Sequence, residues 1–533
     1  MNGKRRSALL VSSILAFGAI TAGTAHAEKS GGILKLHHRG NPGSASIHED
    51  ASYSTNIPFM GIYNNLVMYD QSVAVNSIES IVPDLATSWQ WNADKTKLTF
   101  KLHQGVKWHD GKPFTSKDVQ CTFDMLQGKG NNKLRQNPRK AWYTNLDSVT
   151  TNGDYEVTFN MKRRQPAFIA LLASGYSPMY PCHVDAGKMR TNPIGTGPFK
   201  FVEYKRNKSI KVTRNKEYFK KGRPLLDGIE YTIIKDRSTA ALAFVAGKTD
   251  MGFPLSFSIP MVRDIKKQVP NAVCTIETTN VATNLIVNRE KPPFDNADVR
   301  RAMAMTLDRK AFIDILYEGN ADAGGAMLPR PNGVWGMPIE LLRTMPGYSP
   351  DVKASRDEAR ELMKKAGYGP NKRLKIKVST RNLSIYRDPA VILIDQLKEI
   401  YIDGELETIE TANWFPKVAR GDYSVGLNLT GSAVDDPDQN FYENYACGSQ
   451  RNYTKYCNKE LQKLFDEQSM ETDFEKRKAL VWEIDKKLQE DVARPIIVHS
   501  REGTCWHPHV KGITVMKNSS YNGYRYEDVW LDK

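Results

Sequence analysis

Apolar and polar residues alternate in two short stretches of the first third of the chain. Residues 98–102 read LTFKL, and residues 157–161 read VTFNM. Side chains of a strand point to opposite faces in turn, so this alternation is typical of a half-buried β-strand. We expect both stretches to be strands with one face on a core.

Helix start signals occur further along the chain, ahead of apolar residues spaced by three or four. Each is a Thr or Ser followed three residues later by an acid, the pattern of a capping box. The pairs are Thr115 with Asp118, Ser355 with Glu358, and Thr472 with Glu475. Strands and helices therefore mix throughout, which indicates an α/β protein.

The N-terminus carries an export pattern. Lys4, Arg5 and Arg6 precede an apolar stretch at 8–22, and Ala25-His26-Ala27 follows it. We expect residues 1–27 to be a signal peptide cleaved after Ala27. No cysteine follows the apolar stretch, and no later segment has the roughly 20 apolar residues of a spanning helix. The expected product is periplasmic, without a lipid anchor.

Length and charge narrow the class further. A chain of 533 residues exceeds one ordinary core, so two or three domains are expected. The formal charge of +15 falls by three to +12 when residues 1–27 are removed. This charge fits either a basic solvated surface or a field that attracts anionic solutes. Dense Lys/Arg blocks interleaved with aromatics are missing, which disfavours nucleic acid as a partner.

Six cysteines in an exported chain are expected to pair. Cys447 and Cys457 enclose a short loop and form the predicted disulfide. The other four are Cys121, Cys182, Cys274 and Cys505, whose pairing is left open. The sequence contains no CxxC, so zinc-ribbon and thioredoxin chemistry have no support.

Three ordered stretches resemble the peptide/nickel/opine-binding family of extracellular solute-binding proteins. The first is PDLATSWQWNADKTKLTFKLHQGVKWHDGKPFTSKDV at 83–119. The second is PIGTGPFKF at 193–201, followed by RNKEYF and GKTDMG. The third is NREKPPFDNADVRRAMAMTLDRKAF at 288–312. Each motif alone is weak, but the ordered set is specific.

The resemblance implies a two-lobe periplasmic-binding-protein fold with three domains, mixed sheets and a two-strand hinge. Domain I would comprise residues 28–75, 195–282 and 499–533. Domain II would be inserted at 76–194, and domain III, the second lobe, would span 283–498. The crossings between lobes are expected near 284–288 and 495–499, where closure around a ligand would bend the chain.

The same resemblance points to a ligand site but departs from the family pattern. Peptide binders hold the ligand amine with an aspartate just before an Asp-Pro-Asp-like segment. Here that position falls on Ser432 or on Ala433, after Thr430 and Gly431, and neither side chain carries charge. Asp435 or Asp436 could take the role if the loop bends. Loss of a desolvated charge partner costs roughly 2 to 5 kcal/mol.

Other candidates lie on the opposite side of the site. Arg381 matches a carboxylate-binding arginine of the dipeptide binders, and Arg387 is a nearby second choice. A guanidinium suits a carboxylate or phosphate. Trp414 matches a position where an aromatic lines the pocket. His38 and Arg39 lie in the first strand-to-loop segment, which approaches the ligand in the family. Packing or a solvated surface is the alternative for each.

The expected function is capture of a peptide, opine or organic acid and its delivery to the permease of an ABC importer. We expect no catalytic residue, metal or cofactor, and a monomer whose permease is a separate chain. The alternatives are a metal-chelate or haem scavenger on the same fold, and a secreted hydrolase. The sequence has no GxSxG, HExxH or Walker A motif, which disfavours the hydrolase.

Overall fold

The computed structural model describes residues 28–50 and 52–533, and the expected export signal lies outside them. Within these residues, no helix combines the length and the apolar run that crossing a bilayer would require. The strands are β1 (Ile33–His38), β2 (Val67–Tyr69), β3 (Ile81–Pro83), β4 (Ala86–Trp91), β5 (Lys97–Leu102), β6 (Leu146–Thr151), β7 (Glu156–Met161), β8 (Phe199–Lys205), β9 (Ser209–Arg214), β10 (Gly228–Ile233), β11 (Val273–Val287), β12 (Leu374–Arg381), β13 (Ile402–Ile409), β14 (Val425–Gly431), β15 (Ile496–Trp506), β16 (Val510–Lys511) and β17 (Trp530–Leu531).

Helices connect about half of the successive strands and pack on the sheets. They are α1 (Tyr53–Phe59), α2 (Ser116–Gln127), α3 (Phe168–Ala173), α4 (Arg237–Val245), α5 (Ile259–Gln268), α6 (Ala297–Met305), α7 (Arg309–Tyr317), α8 (Ile339–Leu342), α9 (Val352–Lys365), α10 (Ser384–Lys398), α11 (Thr411–Ala419), α12 (Pro437–Asn444), α13 (Lys459–Met470) and α14 (Phe474–Glu490).

Local signals of the sequence are reproduced in part. The two alternating stretches form β5 and β7, which pair antiparallel with Phe100 opposite Val157. The Thr115 and Asp118 capping box begins α2. The start predicted at Ser355 is wrong, because Asp351 caps α9 one turn earlier and Ser355 donates to its carbonyl at 3.0 Å.

The start predicted at Thr472 is wrong by one residue. Asp473 caps α14, since its side chain accepts a hydrogen bond from the Lys476 amide at 2.9 Å. A carboxylate at this position satisfies one of the amides that the first helical turn leaves without a partner. The helix itself lies where the apolar spacing predicts.

The strands form three larger sheets. One has the order β1-β10-β9-β8, with β1 and β10 parallel, and another has the order β4-β5-β7-β6 and is antiparallel. The third has the order β13-β12-β14-β11-β15 and mixes both directions. Mixed sheets with helices confirm the expected α/β class.

Two long antiparallel strands connect the sheets. The Leu285 end of β11 lies within the five-stranded sheet, between β14 and β15. The Val273 end pairs only with β15, and a bulge separates the two parts of the ladder. Met251 bridges Trp506 of β15 to Leu36 of β1, so this end reaches the four-stranded sheet. These strands are the two-strand connection that the resemblance implies.

The apolar core divides along the same line. The largest buried cluster includes Leu36, Phe100 and Tyr231 and extends through both four-stranded sheets. A second cluster includes Leu285 and Val378 and lies between the five-stranded sheet and its helices. Burial of apolar surface, at about 25 cal/mol per Å², stabilises each cluster separately. A small molecule can therefore be enclosed in the space between the two clusters.

Backbone contact explains one glycine motif. A Cβ on Gly195 would collide with the carbonyl oxygen of Ile62, and one on Gly197 would lie 2.5 Å from the Ile62 carbonyl carbon. Only glycine allows such a close approach of two backbones. The PIGTGPFKF motif is thus a packing requirement of this fold.

All six cysteines are paired in the structure. Cys447 lies against Cys457, with Cα atoms 4.7 Å apart. The four cysteines whose pairing the sequence left open form two further bonds. Cys121 joins Cys182, and Cys274 joins Cys505 across the β11–β15 ladder.

Candidate functional site

A cavity open to solvent lies between the two sheet bodies, with about 500 Å³ of empty space within and in front of its lining. One side comes from the segment after β1 and the start of α1, with Arg39 and Tyr53. The other comes from the end of β12, the α10 region and α11, with Arg381, Tyr386 and Phe415. Concave sites at domain boundaries are the usual place for small-molecule binding.

Arg381 is held in place from its own side of the cavity. Its guanidinium donates to the Tyr386 hydroxyl at 2.7 Å and to the Thr411 hydroxyl at 2.9 Å. The side chain is 1 % exposed, and its Nε has no hydrogen-bond partner among the described residues. A buried cation with neutral partners only is costly, which makes it a candidate for an anionic ligand.

Arg39 faces the same cavity from the other side. Its Cζ lies 5.3 Å from the Tyr53 ring centre and 5.0 Å from that of Phe253. Its Nε is buried without a hydrogen-bond partner in the described part of the chain. Burial lowers the pKa of Arg39, and the neighbouring Arg381 charge lowers it further. The two arginines thus repel one another across the cavity.

Arg451 adds a third guanidinium to the lining. It forms an ion pair with the buried Glu443 carboxylate, which also accepts from the Trp142 indole at 2.7 Å. No Asp or Glu among the described residues lines this cavity. Its chemistry is therefore basic, with aromatic walls that include Tyr386 and Tyr521.

Trp414 does not line this cavity, contrary to the expectation for an aromatic wall. It is fully buried, its indole donates to Asn428 Oδ1 at 3.1 Å, and it packs in a small core with Ile286. The next residue, Phe415, lines the cavity instead. Successive helical residues point about 100° apart, so a shift of one position exchanges the two roles.

A second cavity of about 420 Å³ is lined by Gly431, Ser432 and Asp435, among others. Adjacent residues of β11, β14 and β15 alternate between the two cavities. The first cavity is lined by Thr279, Val281, Leu429 and Ser500. The second cavity is lined by Asn280, Ala282, Thr430 and His499. Residues 279–281 form the bulge in the β11–β15 ladder, where Asn280 has a φ of 47°. The two cavities thus adjoin at this bulge and have different lining residues.

Asp435 and Asp436 have different surroundings. Asp435 accepts from the Val334 amide at 3.2 Å, and burial raises its pKa to about 7. Asp436 caps α12 and receives both arms of the Arg477 guanidinium at 2.8 Å. Neither carboxylate lines the cavity of Arg381.

The remaining loop residues are engaged in local hydrogen bonds. The Ser432 hydroxyl lies 2.6 Å from Gln439 Oε1, which also accepts from the Ala433 amide at 2.6 Å. The Ala433 carbonyl accepts from Asn522 at 2.8 Å. The expected amine-binding position is therefore uncharged and occupied by structural contacts.

His38 and Arg387 also lie outside the first cavity. The Nε2 of His38 donates to the Ser54 carbonyl at 2.9 Å and its Nδ1 accepts from the Gly40 amide at 3.3 Å, and burial lowers its pKa to about 4. It is thus a neutral core residue. Arg387 is half-buried, with contacts of 3.4 Å to Asn382 and Ser384. Of the arginines named from sequence, Arg39 and Arg381 share the cavity.

Sequence reasoning missed Arg451, Tyr53, Tyr521 and Phe415. The first three come from segments distant in the chain, and only the fold brings them together. Phe415 had a signal, since it lies beside the position that the resemblance marks as aromatic. A test of both helix faces would have named it.

Known proteins resemble this chain over most of its length. Residues 80–452 match the family described as bacterial extracellular solute-binding proteins, family 5 Middle. The heme-binding protein A of Haemophilus influenzae is 27 % identical over 500 residues, covering 88 % of this chain and 86 % of that protein. The di/tripeptide-binding protein 1 of Pseudomonas aeruginosa is 25 % identical over 522 residues, covering 92 % and 93 %.

Solved structures share the fold. The oligopeptide-binding protein AppA of Bacillus subtilis, solved with a nonapeptide, superposes with a TM-score of 0.82 at 23 % identity, covering 95 % of this chain and all of that one. AgaA of Agrobacterium tumefaciens R10, solved with agropinic acid, gives 0.81 at 23 % identity, covering 94 % and 99 %. The likeness extends to both lobes and their connection.

Proposed function

We propose a function from one premise: the chain belongs to the bacterial extracellular solute-binding proteins, family 5, which its residues 80–452 match. It is the solute-binding component of an ABC importer. In this role the protein encloses a guest and carries it to a membrane permease. We further propose that the permease is a separate chain. The protein would act as a monomer in the periplasm and perform no catalysis.

The domain division follows the strands and cores. We propose one lobe from residues 28–282 with 499–533, in which 76–194 is the inserted domain, and a second lobe from 283–498. The two largest apolar clusters support this division, and among the described residues only Ala433 and Val434 of the second lobe pack with the cluster of the first. Bending of β11 and β15 would then open and close the cleft.

The solute is a peptide-like or anionic organic molecule that binds in the cavity of Arg381. The observation that carries this proposal is the buried guanidinium itself, which lines the cavity with hydroxyl partners only. A carboxylate or phosphate group would complete its hydrogen bonds. The aromatic side chains around it would pack on the apolar part of the guest.

A second candidate function is binding of haem or a metal chelate. It is favoured by the 27 % identical relative that is named a heme-binding protein. Haem also carries carboxylates that a basic cavity could receive. The described residues contain no group of three or more His, Cys, Asp and Glu that could hold a bare metal ion.

Native mass spectrometry of the protein isolated from its own periplasm tests both candidates. A bound organic acid or peptide is expected, and its addition to emptied protein should raise the melting temperature with concentration. A Soret absorbance in the isolated protein would favour haem instead. Turnover of an added ester or peptide, lost on a single substitution, would contradict a transport role.

A further inference from the structure

We propose that the cavity selects a solute of net negative charge, whose acidic group is held jointly by Arg39 and Arg381 and which needs no ammonium group. This inference rests on the proposed function and specifies its solute class. It differs from recognition of a free peptide, in which both ends carry charge.

The first support is uncompensated charge. Of the three guanidiniums in the lining, only that of Arg451 has a carboxylate partner among the described residues, Glu443. Glu502, an acid within electrostatic range of Arg39, is engaged by Arg237 at 2.5 Å. Two positive charges are therefore left for a guest to neutralise.

The second support is the placement of these two charges on different bodies. Arg39 directly follows β1 of the four-stranded sheet, and Arg381 ends β12 of the five-stranded sheet. Aromatic rings flank both guanidiniums, at 5.0 and 5.3 Å from Arg39 and at 4.7 and 5.3 Å from Arg381. Both guanidiniums thus line one cavity from different sheets, each with aromatic rings beside it.

In this arrangement, closure of the two lobes is coupled to binding of the acidic group of the solute. Like charges that approach across a cleft oppose its closure, and an anion between them reverses the sign of that interaction. A neutral guest would leave the repulsion in place. The acidic group of the solute would therefore act as the bridge that stabilises the closed form.

The third support is that no carboxylate among the described residues lines the first cavity to pair with a ligand amine. Asp435 lines the second cavity, and Asp436 is paired with Arg477. An ammonium group in the first cavity would meet guanidiniums with no carboxylate beside it. Acids whose amine is blocked or missing should therefore bind at least as tightly as their free-amine counterparts.

Matched sets of probes test this inference on the purified full-length mature protein by calorimetry. Each set contains a free dipeptide, its N-acetyl form and the N-acetyl form with an amidated carboxyl terminus, and opine-like and dicarboxylic acids are added. We expect the acetyl form to bind at least as tightly as the free peptide, and the amide to lose at least tenfold. A free peptide that binds tenfold tighter than its acetyl form overturns the inference and leaves solute binding intact.

The solute that co-purifies from the periplasm gives an independent measurement. A net negative charge on it is expected, and a neutral or cationic solute overturns the inference. If neither the co-purified fraction nor the probes yield a solute, the proposed function fails together with it.

Arg39→Gln isolates the contribution of the second arginine. We expect it to weaken binding of the acids at least tenfold while Arg387→Gln, the matched control outside the cavity, changes affinity less than twofold. Arg39→Lys should restore part of the loss, because it keeps the charge. Circular dichroism and the melting temperature verify that each variant folds. An Arg39→Gln variant that folds and retains its affinity for acids overturns the proposal that Arg39 and Arg381 bind the acidic group together.

Discussion

Trp414 and Phe415 are adjacent in α11 and face different surroundings. The Trp414 indole donates to Asn428 Oδ1 at 3.1 Å in a closed core, and the Phe415 ring lines the cavity, its centre 5.3 Å from the Arg381 Cζ. One helix thus assigns packing and ligand contact to successive positions. The two residues should respond differently to substitution.

Trp414→Ala should lower the free energy of unfolding by about 3 to 5 kcal/mol, because it leaves a cavity in a fully buried cluster. Urea denaturation measures this loss, and the affinity of the folded fraction should stay within twofold. Phe415→Leu is the matched change on the neighbouring position. It should cost less than about 1.5 kcal/mol of stability and weaken ligand binding. Equal stability of Trp414→Ala and the parent protein would contradict this assignment.

Arg381→Ala should weaken binding of the native solute at least tenfold, equivalent to about 1.4 kcal/mol. The loss follows from removal of a buried donor that lines the cavity. Calorimetry or a thermal-shift titration measures it. Arg387→Ala serves as the control, since that side chain is half-buried and outside the cavity. Unchanged affinity in the Arg381 variant would remove this residue from the site.

Asp436→Ala should destabilise the protein by about 1.5 to 3 kcal/mol and leave ligand affinity unchanged. It removes the two-armed partner of the buried Arg477 guanidinium, which would keep only its 3.3 Å contact with Asp438. It also removes the cap of α12. Chemical denaturation and calorimetry give the two readouts. Lost affinity in a variant of normal stability would instead place Asp436 in contact with the solute.

Asp435→Asn should change how stability depends on pH. Burial raises the pKa of Asp435 from 3.8 to about 7, so the folded protein retains a proton there that the unfolded chain releases. The unfolded state then binds fewer protons between about pH 4 and 7, and stability falls as pH rises through this window. The Asn variant should lack this part of the fall.

Urea denaturation at pH 5 and pH 8 measures the effect in both proteins. The difference in free energy of unfolding between the two pH values should be smaller in Asp435→Asn than in the parent. An identical difference would mean that the carboxyl group titrates normally in the folded protein.

Local patterns in the sequence predicted a large part of the fold. Alternation located β5 and β7, and the ordered motifs gave the two-lobe class with its two-strand connection. Helix starts were less secure, because Ser, Thr and Asp are all good capping residues. The α9 helix begins after Asp351 and not at Ser355, because the Asp351 side chain already accepts a hydrogen bond from an amide of the first turn.

The site was harder to predict, because it depends on which face of each element points inward. Arg39 and Arg381 could be named from motif positions, and both line one cavity. Asp435 could not be placed, since it lies in the loop between β14 and α12 and its surroundings depend on how that loop packs. Arg451 comes from a loop distant in sequence from both arginines, and no local pattern marks it.

The Cys274–Cys505 bond has a practical consequence for experiments on lobe motion. It joins two residues 231 positions apart in the chain, and the loop between them contains the whole of the proposed second lobe. A single proteolytic cut anywhere in residues 275–504 therefore leaves both fragments covalently attached. Limited digestion will reveal an exposed loop of that lobe only on gels run with a thiol, and the same nick will leave the apparent mass unchanged without one.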